Sequence, residues 1–183
     1  MPKRSPASKF FSDQLTRIRA ASRLGVVADL ACGRGRHTLA AAAAGIPVIG
    51  IDRNQSFLTE LREAATQREI AVETLRADLE NPAEVPLQSR RCGAVLVFRY
   101  LHRPLIPAIV RLLVPGGLLV YETFTVHQRR LGTGPRNLDY LLEPGELPEL
   151  FSELKILDHW EGLSEGPEQA HVAHIIAHAG PLG

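Results

Sequence analysis

Carboxylates and glycines follow apolar runs in the first half of this 183-residue chain. Asp29 lies in the run VVADL and is followed by a turn that contains Gly33 and Gly35. Because glycine has no Cβ, such a turn brings backbone N–H groups close to a bound ligand. A carboxylate ahead of the turn repels a pyrophosphate and attracts a positive or hydrogen-donating group. We therefore expect the turn to bind a ligand of the second kind, such as a sulfonium amino acid.

Two further carboxylates repeat the pattern, each one strand-and-helix unit further along. Asp52 follows the run VIGI, and Asp78 lies just past an apolar segment at residues 70–75. In open α/β sheets ligands bind at the carboxyl ends of the strands, where a carboxylate accepts hydrogen bonds from ribose hydroxyls. The three positions together predict a nucleoside ligand. The dinucleotide pattern GxGxxG is incomplete, because Thr38 stands where its third glycine would be, and this disfavours NAD.

Apolar periodicity predicts alternating strands and helices over the first two thirds of the chain. The expected strands are 26–30, 47–51, 70–75, 93–98 and 118–123. The expected helices are 7–22, 36–44, one capped by Asn54, and one that begins at Pro104 and is broken by residues 115–117. Alternation of this kind requires right-handed crossovers, so it predicts an α/β fold, Rossmann-like and doubly wound, with a parallel sheet and helices on both faces.

The remaining third has a different character. Residues 126–142 read as a long loop and 144–151 as a short helix, and we expect 126–151 to act as a lid. Segments 154–160 and 170–178 have no helix between them, which predicts an antiparallel hairpin at one sheet edge. The expected organisation is a disordered leader at 1–6 and a single domain at 7–183.

Composition narrows the function classes. The net charge of +1 and the 45% apolar content describe a globular domain with no general attraction to nucleic acid or membranes. Cys32 and Cys92 do not make a disulfide framework, which favours a reducing, cytoplasmic location. His171, His174 and His178 lie in an expected strand, where the first points away from the other two, so we expect no metal site.

The motifs DLACGRG, GID, AD and LVPGGLLVYE together resemble those of class I S-adenosylmethionine-dependent methyltransferases, over essentially the whole chain. The resemblance implies a seven-stranded, mostly parallel sheet whose last strand is inserted antiparallel. It implies S-adenosylmethionine as cofactor and S-adenosylhomocysteine as product. The end of the chain resembles more narrowly the small bacterial methyltransferases related to tellurite-resistance enzymes.

The same resemblance implies roles for the turn and strand-end residues. Asp29 would orient the methionine amino group, Asp52 would hold the ribose, and Asp78 would address the adenine edge. Ala31 departs from the family, in which many members have glycine, and we expect it to tighten the turn. Cys32 is interpreted as a small packing residue because no base is evident near it. The implied cofactor-binding residues are Asp29, Ala31, Cys32, Gly33, Gly35, Asp52, Arg53, Asp78, Leu79 and Phe98.

Residues after the fourth strand face the transferred methyl group in this family. The segment FRYLHRP has no Asn/Asp-Pro-Pro-Tyr/Phe motif, so methylation of an exocyclic amine is disfavoured. We expect catalytic roles for Arg99, Tyr100 and His102, with His102 able to move a proton near neutral pH. Alternatively, Arg103 and His102 cap the next helix or face solvent. The candidate substrate or lid residues are Arg103, Glu122, Arg129, Arg130 and Arg136.

These observations predict a cytoplasmic methyltransferase that acts on a small-molecule or oxyanion acceptor. The short chain and its weak basic field favour a small molecule over nucleic acid, and no membrane partner is expected. A methyltransferase acting on RNA or protein, or a non-catalytic S-adenosylmethionine-binding protein, remains the alternative. An NAD-dependent oxidoreductase is disfavoured by the incomplete glycine pattern.

Overall fold

A seven-stranded sheet forms the centre of the protein, with strand order β3-β2-β1-β4-β5-β7-β6. The computed structural model describes residues 5–81, 91–165 and 169–180. The strands are β1 Val26–Leu30, β2 Val48–Asp52, β3 Glu73–Arg76, β4 Cys92–Phe98, β5 Leu113–Phe124, β6 Lys155–Leu163 and β7 His171–His178.

Strands β1 to β5 are parallel, and β7 lies antiparallel between β5 and β6. The strand order reverses between β1 and β4, which places a crevice at the carboxyl ends of these two strands. The predicted doubly wound sheet with an antiparallel insertion is confirmed.

The helices cover both faces of this sheet. They are α1 Lys9–Asp13, α2 Leu15–Ala21, α3 Arg36–Ala43, α4 Gln55–Thr66, α5 Ile106–Leu112 and α6 Glu146–Leu150. Asn54 caps α4 as predicted, because its side-chain oxygen accepts hydrogen bonds from the backbone N–H groups of Ser56 and Phe57. The single helix predicted over 7–22 is wrong: Gln14 has φ −96° and ψ −1°, and the chain forms two helices on either side of it.

Side chains on the central strands alternate between two apolar cores. Along β5, Leu119 and Tyr121 point to a core that also contains Phe151, whereas Val120 points to the core that contains Phe11 of α1. By this alternation Glu122 faces the side of the sheet covered by α1, α2 and α3. The same face carries the candidate residues of β1 and β4 that are described below.

Several strand boundaries differ from the sequence predictions, and the third and fifth strands show the differences most clearly. The third strand was expected at 70–75 but occupies Glu73–Arg76. The fifth was expected from residue 118, but β5 begins at Leu113, so Pro115, Gly116 and Gly117 lie inside it. The pairing of β4 with β5 shifts register between Cys92 and Ala94, and this irregularity accommodates the extra residues. The expected helix break is nevertheless real, since α5 ends at Leu112.

The segment expected to be a long loop contains two short 3-10 turns, Val126–Leu131 and Leu138–Tyr140. A bridge between Thr125 and Leu142 closes its base. Most of the predicted leader lies outside the described residues, and the domain boundaries and the lid stay predictions. Within the described ranges, no helix has the length and hydropathy needed to cross a membrane.

Candidate functional site

The turn between β1 and α3 has an unusual backbone. Ala31, Gly33 and Gly35 have φ values of +52°, +56° and +75°, the left-handed region that favours glycine. The turn is fixed to the neighbouring strand at two points. The backbone N–H of Cys32 donates to the carbonyl of Ile51 at 2.9 Å. The backbone N–H of Gly33 donates to Asp52 Oδ2 at 2.8 Å, so the turn and the carboxylate of β2 form one unit.

Each glycine of the turn is needed for a different reason. A Cβ at Gly35 would lie 2.4 Å from Leu61 Cδ1, so α4 packs directly against this position. A Cβ at Gly33 would meet nothing within 4 Å, so only its backbone conformation favours glycine there. The open side of Gly33 lines the larger of two clefts described below, where a ligand can approach the backbone.

Asp29 lies beneath this turn and is 1% exposed. Its Oδ2 accepts a hydrogen bond of 2.6 Å from the Thr38 hydroxyl in the first turn of α3. Burial raises the pKa of Asp29 to about 7, although the hydrogen bonds from Thr38 and the charge of Arg36 act in the opposite direction. A buried carboxylate of this kind is better stabilised when a cationic group lies next to it.

Asp52, the last residue of β2, and Asp78, two residues after β3, line the same cleft. Asp52 accepts hydrogen bonds from two backbone N–H groups, those of Gly33 and Asn54, both at 2.8 Å. Arg53 lies near two carboxylates, 4.0 Å from Asp78 Oδ1 and 3.4 Å from Glu80 Oε2. These residues surround a cleft of about 210 Å³. The cleft is lined by Ala31, Asp52, Arg53, Ala77, Asp78, Leu79, Glu80, Arg99 and Tyr100.

A second cleft, of about 840 Å³, adjoins the first, because Ala31 and Arg99 line both. It extends past the glycine turn toward α3 and α4. Its lining includes Asp29, Cys32, Gly33, Arg36, His37 and Phe98. Nine of the ten residues that the sequence assigned to cofactor binding line one or both of these clefts. The tenth, Gly35, lies in the same turn but packs against Leu61.

Cys32 is half-buried in this turn, and its Sγ contacts its neighbour's carbonyl oxygen, that of Gly33, at 3.6 Å. Burial raises the pKa of the Cys32 thiol, and the charges of Asp29 and Asp52 raise it further. A thiol held protonated in this way is a poor nucleophile. The surroundings therefore agree with the interpretation of Cys32 as a packing residue.

Tyr100 lines the smaller cleft rather than the larger one. Its hydroxyl is buried and has no hydrogen-bond partner among the described residues. Burial raises the pKa of this hydroxyl, and Glu80 and Asp78 raise it further. Tyr100 is therefore a neutral donor beside the strand-end carboxylates, and its catalytic role stays a prediction.

Arg99 and Glu122 lie together at the carboxyl ends of β4 and β5. The backbone N–H of Arg99 donates to the Glu122 carbonyl at 2.8 Å, and the Arg99 φ is +57°. The Arg99 guanidinium lies 5.4 Å from the centre of the Phe124 ring. The Glu122 side chain is buried, which raises its pKa, whereas the charges of Arg99 and Arg36 lower it. Glu122 is not among the described residues that line either cleft.

His102 and Arg103 are not in the described lining of either cleft. His102 precedes the 3-10 turn Arg103–Leu105, and it is not among the described residues that line either cleft. The Arg103 guanidinium forms two bonds to Glu146, of 2.6 and 2.8 Å, and donates to the carbonyls of Asp139 and Leu141 at 2.9 Å each. Arg103 thereby fastens the segment that precedes α6.

The other predicted arginines of the lid, Arg129, Arg130 and Arg136, are exposed, and neither cleft's described lining includes them.

On β7, strand alternation directs His171 away from His174 and His178, as expected. Within the described part of the chain, no three His, Cys, Asp or Glu side chains group as metal ligands would.

The first turn of α3 contributes residues that the sequence reading did not assign to the site. His37 is 4% exposed, and its ring stacks on that of Phe98 at 3.8 Å. Its Nε2 accepts a hydrogen bond of 3.3 Å from the backbone N–H of Ser8, and burial lowers its pKa. Arg36 and Thr38 flank it. Their position directly after the glycine turn could have identified them as site residues, because the first turn of a helix that begins there faces the bound ligand.

Comparisons with known proteins point to one family. The family described as a methyltransferase domain matches residues 27–117, about half of the chain. A probable S-adenosyl-L-methionine-dependent methyltransferase TehB from Haemophilus influenzae is 24% identical over 144 residues, 76% of this chain and 49% of that protein. Trans-aconitate 2-methyltransferase from Delftia acidovorans is 25% identical over 167 residues, 86% of this chain and 61% of the relative.

The chain therefore spans about half to three fifths of the length of these curated relatives. Solved structures share the fold. The crystal structure of TehB from Haemophilus influenzae superposes with a TM-score of 0.71 at 17% identity, covering 91% of this chain and 62% of that one. A methyltransferase structure from Methanosarcina mazei superposes with a TM-score of 0.73 at 15% identity, covering 97% of this chain and 100% of the other.

Proposed function

This chain belongs to the class I S-adenosylmethionine-dependent methyltransferases, and we propose that it transfers the methyl group of S-adenosylmethionine to a small-molecule or oxyanion acceptor. One observation carries the proposal: the glycine turn is bonded to Asp52, with Asp29 beneath it and Asp78 beside it, at the point where the strand order reverses. A cytoplasmic location is part of the proposal, and the free thiols of Cys32 and Cys92 support it.

The residues present fit the cofactor at both of its ends. Asp52 keeps further acceptor capacity for ribose hydroxyls, because each carboxylate oxygen accepts one backbone bond and can accept another. Asp78, Leu79 and Arg53 would surround the adenine in the smaller cleft, where the buried Tyr100 hydroxyl also needs a partner. Asp29 would stabilise the methionine ammonium, which offsets the cost of burying its own charge.

S-adenosylmethionine, when bound, supplies an electrophilic methyl group whose carbon–sulfur bond breaks toward sulfur as the acceptor bonds to the carbon. The protein's part is to hold the acceptor in line and to exclude water, for which orientation alone contributes about 7–11 kcal/mol. An acceptor that is already anionic needs no proton removed. This agrees with the absence of His102 from the described linings of the two clefts.

The name of one relative, trans-aconitate 2-methyltransferase, supports a small acceptor over a macromolecule, because trans-aconitate is a tricarboxylate. The net charge of +1 gives no broad cationic surface for an RNA acceptor. A methyltransferase for RNA or protein, or a binding protein without turnover, is the second candidate, which an acceptor screen with radiolabelled methyl groups distinguishes.

Thermal-shift titrations with S-adenosylmethionine, S-adenosylhomocysteine and NAD test the cofactor. The two adenosyl ligands are expected to stabilise the fold by about 2.7 kcal/mol at a hundred times their dissociation constant, and NAD is not. Asp52→Ala should weaken S-adenosylhomocysteine binding by about 1.5–3 kcal/mol, since ribose hydrogen bonds to a charged group are lost. Asp158→Ala, at an exposed position of β6, is the control and should bind normally. Stabilisation by NAD alone would contradict the proposal.

A further inference from the structure

The hydroxyl of Thr38 bonds a neighbouring strand and not its own helix. In α4, the hydroxyls of Thr59 and Thr66 each donate at 3.0 Å to the carbonyl oxygen four residues earlier, as hydroxyls within helices commonly do. Thr38 is the third residue of α3, so the position four residues earlier precedes the helix. Its hydroxyl donates instead to Asp29 Oδ2 on β1, at 2.6 Å, and both side chains are buried.

A glycine on β2 leaves room for this hydroxyl. Gly50 is the partner of Asp29 in the parallel pairing of β1 with β2. A Cβ at Gly50 would lie 3.1 Å from Thr38 Oγ1 and 3.1 Å from Cys32 Sγ, closer than ordinary van der Waals contact. The Thr38 hydroxyl therefore occupies a close-fitting space between α3 and the sheet, which fixes its position beside the Asp29 carboxylate.

Asp29 connects this buried contact to the larger cleft. Asp29 lines the cleft, whereas Thr38 is not among the described residues that line it. Thr38 can therefore act on a ligand in the cleft only through Asp29.

The groups around Asp29 have opposing effects on its charge. Burial raises the pKa of Asp29, whereas the hydrogen bonds from Thr38 lower it. Of the charged groups nearby, Arg36 of α3 lowers this pKa and Asp52 of β2 raises it. The Cys32 thiol in the turn has a raised pKa and stays neutral, and β4, on the other side of β1, has no Asp, Glu, Lys, Arg or His. Thr38 is thus the uncharged group that favours the ionised form of Asp29.

We propose that Thr38 is a positioning residue for the cofactor: its hydroxyl holds the Asp29 carboxylate in place to bind the ammonium group at the methionine end of S-adenosylmethionine. A hydrogen bond to the charged form of a carboxyl favours that form, and a neighbouring ammonium group favours it further. The hydroxyl thus assists binding without contacting the cofactor. The inference rests on the proposed function and deepens it, because it gives the first turn of α3 a part in recognising the amino-acid end.

Calorimetric titrations with S-adenosylhomocysteine and 5′-methylthioadenosine test this role. The second probe has the same adenosine and sulfur but no amino-acid group. Thr38→Val removes the hydroxyl at nearly constant volume. The variant should bind S-adenosylhomocysteine about tenfold more weakly at pH 6, but within about threefold of the original chain at pH 8.5. Its binding of methylthioadenosine should stay within about threefold at both pH values, because this probe has no ammonium group.

The sign of the pH dependence follows from the lost hydrogen bond. The pKa of Asp29 is about 7 with the Thr38 bonds in place, and it rises when the hydroxyl is removed. At pH 6 binding of the ammonium must displace a proton from Asp29, and the variant holds this proton more tightly. At pH 8.5 Asp29 is mostly ionised in both proteins, so the difference narrows. A substitution that only disturbed packing would weaken binding equally at the two pH values.

Two further variants complete the test. Thr38→Ser keeps the hydroxyl and should bind S-adenosylhomocysteine within about threefold of the original chain at both pH values. Thr66→Val, the same substitution at an exposed position of α4, is the matched control and should bind both probes normally. If Thr38→Val binds S-adenosylhomocysteine as the original does, or loses affinity equally at both pH values or for both probes, the positioning role is wrong while the cofactor assignment stands. Binding of neither probe by the original chain would instead overturn the proposed function, and this inference with it.

Discussion

Two residues near the candidate site hold backbone conformations that side chains with a Cβ disfavour. Ala31 and Arg99 have φ values of +52° and +57°, which cost roughly 1–2 kcal/mol each for an L-residue other than glycine. Both line the two clefts where these meet. Strained backbone clusters at functional sites because the surrounding structure fixes it there. Alanine at position 31, where many family members have glycine, therefore raises the backbone conformational energy of the turn that forms the site.

Asp29 is expected to destabilise the ligand-free protein as the pH rises. Its pKa is about 7 in the folded state against 3.8 in the reference state, so the unfolded chain loses its proton first. Between these two values the folded state binds more protons and stability falls with rising pH, by roughly 4 kcal/mol in total for a shift of this size. Asp29→Asn removes this cost and keeps an acceptor for the Thr38 hydroxyl.

Urea unfolding without ligand at pH 5.5 and pH 8 measures this effect. The stability advantage of Asp29→Asn over the original chain should grow from the lower to the higher pH, while S-adenosylhomocysteine binding weakens. Asp158→Asn, at an exposed carboxyl, serves as the control and should show no such growth. An advantage that is equal at the two pH values would show that Asp29 does not carry the buried charge.

Among the elements, α4 packs closely against the glycine turn at Gly35. Gly35→Ala is expected to cost about 2–4 kcal/mol, because its Cβ would overlap Leu61 and its φ of +75° disfavours alanine. Gly33→Ala is the matched control: its Cβ would meet no neighbour, so only the backbone cost of about 1–2 kcal/mol applies.

A double-mutant cycle with Leu61→Ala separates the two causes. Shortening Leu61 removes the overlap, so Gly35→Ala should cost less in that background, with a coupling of about 0.5–3 kcal/mol measured by chemical denaturation. Gly33→Ala should cost the same in both backgrounds. Equal costs for Gly35→Ala in both would mean that α4 does not confine the turn.

At the scale of the whole molecule, one arginine connects two distant parts of the chain. Arg103 donates to both oxygens of Glu146 and to two carbonyls of the segment before α6. Burial against this network leaves it about one third exposed. The pairing lowers the pKa of Glu146, chiefly through the hydrogen bond from Arg103. The contact defines how the segment from 137 to 146 lies on the body of the fold.

Arg103→Ala is expected to release that segment locally. Loss of the charge-assisted bonds should cost about 1–3 kcal/mol, toward the lower end because the pair is partly solvated. Hydrogen–deuterium exchange should accelerate in peptides covering 137–147 and stay unchanged in β1 and β4. Arg111→Ala, exposed on α5, is the control. Unchanged exchange in 137–147 would show that other contacts hold the segment.

The sequence predictions were accurate for features that depend on residues close together in the chain. The continuous apolar run of β4, Cys92–Phe98, and the hairpin of β6 and β7 were evident because buried strands and turns have strong local signals. The break at Gln14 and the start of β5 at Leu113 were not, because packing against the sheet and a register irregularity decide them. Element boundaries that are set by such non-local contacts cannot be recognised from neighbouring residues in the sequence.

The sequence by itself determined the order of the elements, the glycine turn and the three strand-end carboxylates, because each follows from residues a few positions apart. Only the tertiary structure decided that Arg36 and Arg99 line one cleft, and that Arg103 bonds Glu146 and is not in the described lining of that cleft. These pairs join residues far apart in the chain, and the direction of a side chain depends on strand register and on the neighbours that pack against it.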